Sequence, residues 1–356
     1  MRLRGSAKKE QSVVGLEIEP SHLAAAEVAV NGHVSLAKGA VEMLRPGVLR
    51  DGEVSDEAEL ASTLRDFFDK HDLPRHVRLG VANQRIVVRS LDLPVLEDPK
   101  QLASAVRLQA PDHIPMPIDE AVMDFQPLGI VDTPTGLKSR VTVVAVRRDM
   151  IERLVGATSA AGLKLAGIDL SAFAMIRALD VEMPEGEAVL YVNVGGLTNV
   201  AVASGASCLF TRTAHAGVED LAATLAERGA LTMEHARQWL TYVGLEQPLE
   251  AVQGDAAIVE AARSVLVEGV HHLADVVRNS LNFYRMQEAS EPVDRAVLTG
   301  PATEIPGFAE ELGRQLSLPV RSAVVAAEGG EGHTEAARLT VAAGLAVTER
   351  PGHAGR

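Results

Sequence analysis

Hydrophobic and polar positions follow one strand-like pattern twice along the chain. Each copy contains three short apolar or alternating runs, at 13–18, 23–30 and 33–43 and again at 188–194, 198–203 and 207–213. Asn31-Gly32 and Ser204-Gly205 separate the last two runs of each copy, and such pairs favour two-residue hairpins because they tolerate positive φ. Gly32 and Gly205 are 173 residues apart. The spacing predicts an internally duplicated α/β domain, and the alternative is two unrelated meanders.

Between and after these meanders, apolar residues recur at helical spacing. The pattern predicts helices at 56–71, 99–110, 149–161, 170–179, 218–228, 232–243, 256–287 and 335–347. Further strands are predicted at 77–81, 86–91, 141–146 and 296–299. In the helix at 256–287, apolar residues step by three or four from Val259 to Tyr284, which indicates one continuous buried stripe.

The segment between the two copies has the size of a small inserted domain. It opens with Leu93-Pro94, continues through a predicted helix into the proline-rich sequence HIPMPIDE, and closes on an apolar strand. We therefore expect a first half at 10–92 and 147–185, an inserted domain at 93–146, a second half at 186–348, and flexible tails at 1–9 and 349–356.

Composition and charge exclude several classes of protein. Of the 356 residues, 47% are hydrophobic, which is too apolar for a disordered chain. The net charge of −14 disfavours nucleic-acid binding, and the single cysteine, Cys208, indicates a reducing cytoplasm. The longest stretch without charge, 188–211, contains Asn193 and paired glycines and alternates like strands, so we expect no transmembrane segment.

Common catalytic signatures are absent from the sequence. No GxxxxGK[ST], HExxH, GxSxG or CxxC motif occurs, and His271-His272 on one helix cannot direct both rings to one metal. We therefore expect no catalytic residue, no metal site and no enzymatic activity. The turns in VVGLEIEPSHLA and YVNVGGLTNVA remain as candidates, because a tight turn can direct backbone N–H groups toward a phosphate. The alternative is two plain hairpins.

Several longer motifs resemble the PilM family of type IV pilus assembly proteins, which are actin-like relatives of the cell-division protein FtsA. The motifs are VVGLEI at the start, VVRSLDLP at 87–94, IPMPIDEAVMDFQPLG at 114–129, AGLKLAGIDLSAFAMIRAL at 161–179, RNSLNFYRMQ at 278–287 and RLTVAAGLAV at 338–347. The resemblance covers about 12–348. It implies an α/β, actin-like (ribonuclease H-like) duplicated fold with a small inserted domain in the first half.

The resemblance also implies a site for ATP with Mg²⁺ between the two halves. The corresponding residues are Gly15, Glu17, Ser21, His22, Asn193, Gly195, Gly196, Thr198, Gly217 and Gly300. The sequence departs from the family pattern at five places: Glu19 for glycine, Ala24 for lysine, Asn193 for aspartate, Thr299-Gly300-Pro301-Ala302 for a glycine-rich element, and Arg237 with Leu240 for glutamate and lysine. Together they argue against ordinary ATP handling, since Glu17 and Glu19 would repel a triphosphate.

By the same resemblance, we expect a non-catalytic adaptor at the inner face of the cytoplasmic membrane. Its partners would be other pilus platform proteins and the N-terminal tail of a PilN-like protein, held in extended form. The predicted groove comprises Arg89, Leu93, Pro94, Ile114, Pro115, Met116 and Pro117. The alternative is that these prolines only end a helix and that Ile114 is core. An active actin-like ATPase and an FtsA-like filament protein are the competing functions, and the latter needs a C-terminal amphipathic anchor that ERPGHAGR lacks.

Overall fold

Two five-stranded sheets with the same strand order form the framework of the protein. The computed structural model describes residues 12–31, 33–50, 52–179, 187–287, 290–328 and 335–347. Gly32 of the expected hairpin and both expected tails lie outside these ranges.

The strands are β1 Val14–Ile18, β2 His22–Val30, β3 Val34–Met43, β4 Leu49–Arg50, β5 Glu53–Val54, β6 His76–Val81, β7 Val87–Pro94, β8 Ala121–Thr133, β9 Gly136–Arg147, β10 Lys164–Leu170, β11 Ala188–Val194, β12 Thr198–Ser204, β13 Ser207–Ala214, β14 Val293–Thr299 and β15 Val320–Ser322. The helices are α1 Glu57–Lys70, α2 Pro99–His113, α3 Arg148–Ala160, α4 Ser171–Leu179, α5 Val218–Gly229, α6 Met233–Val243, α7 Ala256–Arg285, α8 Phe308–Leu316 and α9 Ala336–Ala346. Short 3₁₀ turns occur at Ile118–Glu120, Leu249–Ala251 and Pro301–Glu304.

The two sheets repeat one topology. The first has the order β3-β2-β1-β6-β10 and the second the order β13-β12-β11-β14-β15. In each, three antiparallel strands form a meander and two further strands join in parallel. The predicted duplication is therefore confirmed, because the two meanders lie in separate sheets with matching order.

Local sequence signals explain where the flanking helices begin and which face they bury. The Asp56 carboxylate accepts the backbone N–H of Glu59 and caps α1, whose Leu60, Leu64 and Phe67 are fully buried. Asp255 caps α7 in the same way, and the predicted apolar stripe of that helix packs into the core of the second half.

Helices α4 and α9 pack against each other between the two sheets. Helix α9, expected in the second half, also lies on β1, β2 and β3 of the first sheet. Its approach explains Gly15, where a Cβ atom would lie 1.9 Å from the carbonyl oxygen of Ala342. The glycine that we assigned to the nucleotide site thus serves helix packing against α9.

The inserted segment forms a three-stranded antiparallel sheet in the order β7-β9-β8, with α2 packed on one face. Strand β7 pairs along its whole length with β9, so the boundary expected between residues 92 and 93 falls inside this strand. Helix α2 continues through Pro111 to His113, one turn beyond its predicted end.

The helices of the described ranges bear on the expectation that the chain has no transmembrane segment. Among them, no helix is both long and apolar enough to cross a bilayer.

Candidate functional site

The turn after β1 and the turn after β11 meet between the two sheets. Oε2 of Glu19, in the first turn, accepts a hydrogen bond of 2.8 Å from the backbone N–H of Gly196 in the second. Glu19 is only 3% exposed. A Cβ atom on Gly195 would lie 2.9 Å from the same carboxylate oxygen, so only glycine lets the two turns come this close.

Two further titratable side chains are buried beside Glu19. Burial, together with the charge of Glu19, raises the pKa of Glu17 well above its usual value. Burial also raises the pKa of Glu19 to about 7, although the Gly196 N–H and the charge of Arg338 oppose the shift. Burial and two nearby arginines lower the pKa of His22 to about 3. At neutral pH His22 is therefore uncharged, and the charged form of Glu17 is disfavoured by its burial.

Several polar atoms of this cluster lack a hydrogen-bond partner within the described residues. They are Oε1 of Glu17, Oε1 of Glu19, Nε2 of His22 and Nη1 of Arg338. Nδ1 of His22 lies 3.0 Å from the hydroxyl oxygen of Ser21 and 3.7 Å from Oε2 of Glu19. Buried polar atoms are usually hydrogen-bonded, so these four atoms are candidates to bind a water molecule or a ligand.

The space between the turns is small. Its cavity is about 10 Å³ and is lined by Glu17, Glu19, His22, Asn193, Gly195, Pro301, Ala337, Arg338 and Val341. That volume holds about one water molecule, whereas small-molecule sites are on the order of 300–1,000 Å³. A nucleotide would enter only if the two halves moved apart.

An ion-pair chain lies where relatives are expected to contact adenosine. The Arg237 guanidinium on α6 donates from Nε and Nη2 to Oε2 of Glu219 on α5, at 2.9 and 2.6 Å. Nη1 of Arg338, on α9, lies 3.7 Å from Oε1 of Glu219. Leu240, which stands at the expected lysine position, is fully buried in the core of the second half. These ion pairs connect α5, α6 and α9, and Glu219 is paired with both arginines.

The remaining predicted nucleotide residues pack the loops around the cavity. The Thr198 hydroxyl donates to the Ala216 carbonyl oxygen and is fully buried. A Cβ atom on Gly217 would lie 2.2 Å from the Gly195 carbonyl oxygen. Gly300, at φ +84°, would place a Cβ atom 2.2 Å from Oδ1 of Asn193. These residues therefore set how closely the loops approach.

A second, larger cavity of about 190 Å³ opens on the second half. Its floor is apolar, with Val194, Leu273 and Phe308, and its rim carries His215 and His272. Asp220, also at the rim, accepts the backbone N–H of Gly217. The apolar residues of this floor supply no hydrogen-bond donors to a phosphate. We therefore keep the cavity between the turns as the candidate nucleotide site.

Comparison with known proteins assigns the chain to a protein family. The model of the family described as type IV pilus assembly protein PilM matches residues 15–349. The chain belongs to this family. A chain of a PilM–PilN type IV pilus biogenesis complex is similar to it, with 27% identity and a TM-score of 0.75 over 94% of this chain and 97% of that one.

Two more distant structures resemble the chain in fold alone. The ethanolamine utilization protein EutJ from Carboxydothermus hydrogenoformans is 16% identical, with a TM-score of 0.56 over 94% of this chain and 89% of that one. MreB5 of Spiroplasma citri, bound to ADP, is 12% identical, with a TM-score of 0.55 over 94% and 95%. The predicted actin-like fold is therefore confirmed.

The predicted groove of this PilM-family chain is only partly accessible. Leu93 and Ile114 are 0% and 4% exposed and belong to the core of the inserted segment, so they offer no side chain to a ligand from solvent. This corrects the expectation that Leu93 and Ile114 line the groove, and it favours the alternative that Ile114 is core. Met116 is half-buried against the same core, whereas Arg89, Pro94, Pro115 and Pro117 are exposed.

Strand register separates the exposed groove residues into two groups. Arg89 pairs with Val143, four residues from the end of β9 that faces the start of β8, whereas Pro94 pairs with Lys138, two residues from the other end. At about 3.3 Å per residue, they are roughly 17 Å apart. Arg89 therefore lies nearer the segment 115–117, which leads into β8.

Sequence analysis did not find Glu219 and Arg338 as members of the site. Arg338 lines the cavity from the start of α9, and Glu219, at the start of α5, lies 3.7 Å from Arg338. Their only local signal is a charged residue in a first helical turn, which is common at helix starts.

Proposed function

We propose that this PilM-family chain is a non-enzymatic adaptor of the type IV pilus assembly platform at the cytoplasmic face of the inner membrane. In this role it holds the N-terminal cytoplasmic tail of a PilN-like protein and works without bound nucleotide. The partner is supported by the family match and by the similarity to a chain of a PilM–PilN complex. The observation that carries nucleotide independence is the cavity of about 10 Å³ between the two turns.

The electrostatics of the cleft support weak or lost nucleotide binding. Glu17 and Glu19 line the cavity, and neither is paired with a lysine or arginine at ion-pair distance among the described residues. A triphosphate brought beside them would add negative charge in a partly desolvated space. Asn193, which replaces the expected aspartate, carries no charge for a metal's water shell.

The surface proposed for the tail is the accessible remainder of the predicted groove, namely Arg89, Pro115, Met116 and Pro117. Arg89 is exposed, and its guanidinium donates to the carbonyl oxygen of the neighbouring Val88. The two prolines keep the segment extended and have no N–H groups to donate. An extended tail could then contact the Met116 side chain and the Arg89 charge together.

Isothermal titration of the full chain with a PilN-like tail peptide tests this proposal. We expect Arg89→Glu to weaken binding by about tenfold or more, because a charge-assisted contact contributes about 1.5–3 kcal/mol. Lys100→Glu is the matched control, since Lys100 is an exposed cation in the first turn of α2, close in sequence to Pro94. Equal affinities for the two variants would reject this surface, and failure of the unmodified chain to bind would reject the partner.

A further inference from the structure

The contact between Glu19 and Gly196 joins the two halves at the place where an actin-like fold would hold phosphate. Glu19 follows β1 of the first sheet, and Gly196 follows β11 of the second. A hydrogen bond of 2.8 Å from the Gly196 N–H to Oε2 of Glu19 joins these two turns. The bond therefore crosses the cleft and connects the first half to the second.

A buried carboxylate can substitute for a phosphate oxygen at such a turn. Both offer an oxygen that accepts a hydrogen bond, and the backbone N–H groups of a glycine turn form a concave site for such acceptors. Glu19 is 3% exposed, and Gly195 and Gly196 lack the Cβ atoms that would hold its carboxylate away, at 2.9 and 3.1 Å from Oε2. The two glycines thus form a cradle that the chain's own carboxylate already fills.

We propose that the Glu19 side chain is a built-in hydrogen-bond acceptor of the Gly195-Gly196 turn and holds the two halves closed in place of a nucleotide phosphate. The α4–α9 pair connects the halves through their buried centre. The Glu19 bond adds a second link between the halves, at the turns beside the N-terminal end of α9. Closure of the cleft between the two halves is independent of which partner the protein binds.

Distance measurement between spin labels on the full chain tests the closure. Ser62 on α1 and Glu260 on α7 are exposed and lie on opposite halves, so Ser62→Cys with Glu260→Cys provides the label sites. The native Cys208 can stay, because it is buried and burial raises the pKa of its thiol to about 12, which keeps it unreactive.

Two substitutions at Glu19 distinguish the effect of its hydrogen-bond acceptor from the effect of its charge. Glu19→Gln keeps a side-chain oxygen that can accept the Gly196 N–H, and it should leave one narrow distance distribution. Glu19→Ala removes the acceptor, and it should broaden the distribution and move its mean to longer distance. Glu17→Gln is the control, since it changes a neighbouring buried carboxyl without touching the cross-turn bond. An unchanged distribution in folded Glu19→Ala would overturn the inference.

Hydrogen exchange on the unmodified chain gives a second measurement if Glu19→Ala does not fold. The Gly196 amide should exchange much more slowly than the Gly205 amide, which lies in an exposed hairpin turn. Comparable fast exchange at the two glycines would contradict a persistent bond to Glu19. Slow exchange at Gly196 without nucleotide would support it.

Discussion

A Cβ atom on Gly344 would lie 1.8 Å from the carbonyl oxygen of Ala174, so α9 and α4 pack backbone against backbone between the two sheets. This contact places the N-terminal end of α9, with Ala337 and Arg338, at the cavity between the turns. Helix packing in the centre of the fold therefore sets the geometry of the candidate site.

Gly344→Ala should strongly destabilise the protein, because its methyl group can enter only by displacing backbone. Overpacking of this kind typically costs about 1–3 kcal/mol and occasionally more. Gly156→Ala is the control, since its Cβ atom on α3 would meet only Glu57 Oε2 at 3.4 Å. Urea unfolding should show a lower midpoint for Gly344→Ala and an unchanged or slightly higher one for Gly156→Ala. Equal midpoints would disprove the close contact.

Much of the fold could be predicted from the sequence, because alternating apolar and polar residues and glycine-containing turns indicate both meanders. The predicted strands 188–194 and 207–213 nearly coincide with β11 and β13. Strand β8 was missed because Pro127 and Gly129 interrupt its alternation, where the structure has a bulge. Strand β10 was missed because KLAGIDL contains a glycine and an aspartate, which strands disfavour.

The candidate site was predictable only in part. Glu19 stood out in the sequence as a carboxylate at a glycine position, yet its partner Gly196 is 177 residues away. No local sequence pattern predicts a contact over that distance. No local pattern predicts that Arg338 reaches the cavity from α9 either. A core position for Ile114 was the alternative that the sequence left open, and its burial in the structure favours that alternative.

Stability should depend on pH through Glu19. Its pKa is about 7 in the folded protein, against about 4.3 in an unfolded chain. The folded state therefore binds more protons between these values, so Glu19 contributes stability that decreases as the pH rises from about 4.5 to about 7. The charged and titratable groups facing it are Glu17 from β1, His22 from β2, Glu219 from α5 and Arg338 from α9.

His22 acts in the opposite direction, because its pKa is lowered to about 3 and its contribution decreases as the pH falls below about 6.5. Comparison with Glu19→Gln separates the two groups. The free energy of unfolding of the wild type minus that of Glu19→Gln should be larger at pH 5 than at pH 8, by up to a few kcal/mol. A difference that is constant with pH would show that Glu19 keeps an ordinary pKa.

Nucleotide binding should improve when the two turns regain the family's residues. The wild type should show no ATP hydrolysis above background, whereas Glu19→Gly with Asn193→Asp should bind ATP·Mg²⁺ at least about tenfold more tightly. The change removes a repelling carboxylate and restores a charge that can hold a metal's water shell. Isothermal titration measures both proteins. Tight binding or metal-dependent turnover by the wild type would contradict the account.

Ile114 and Met116 should respond differently to substitution. Ile114→Ala should cost about 2–4 kcal/mol of stability, because Ile114 is a core residue with 4% exposure. Met116→Glu should lower the melting temperature less than Ile114→Glu, because Met116 is only half-buried. If Met116 contacts the tail, Met116→Glu also abolishes binding of the peptide. Unchanged peptide affinity would remove Met116 from the proposed surface.

The most direct test of nucleotide-independent adaptor function is one titration performed twice. The full chain is titrated with a PilN-like tail peptide, first in nucleotide-free buffer and then with saturating ATP·Mg²⁺. A closed, self-filled cleft predicts the same dissociation constant in both experiments. A change of about tenfold or more, equivalent to about 1.4 kcal/mol of coupling, would contradict the account, because nucleotide would then regulate the partner site.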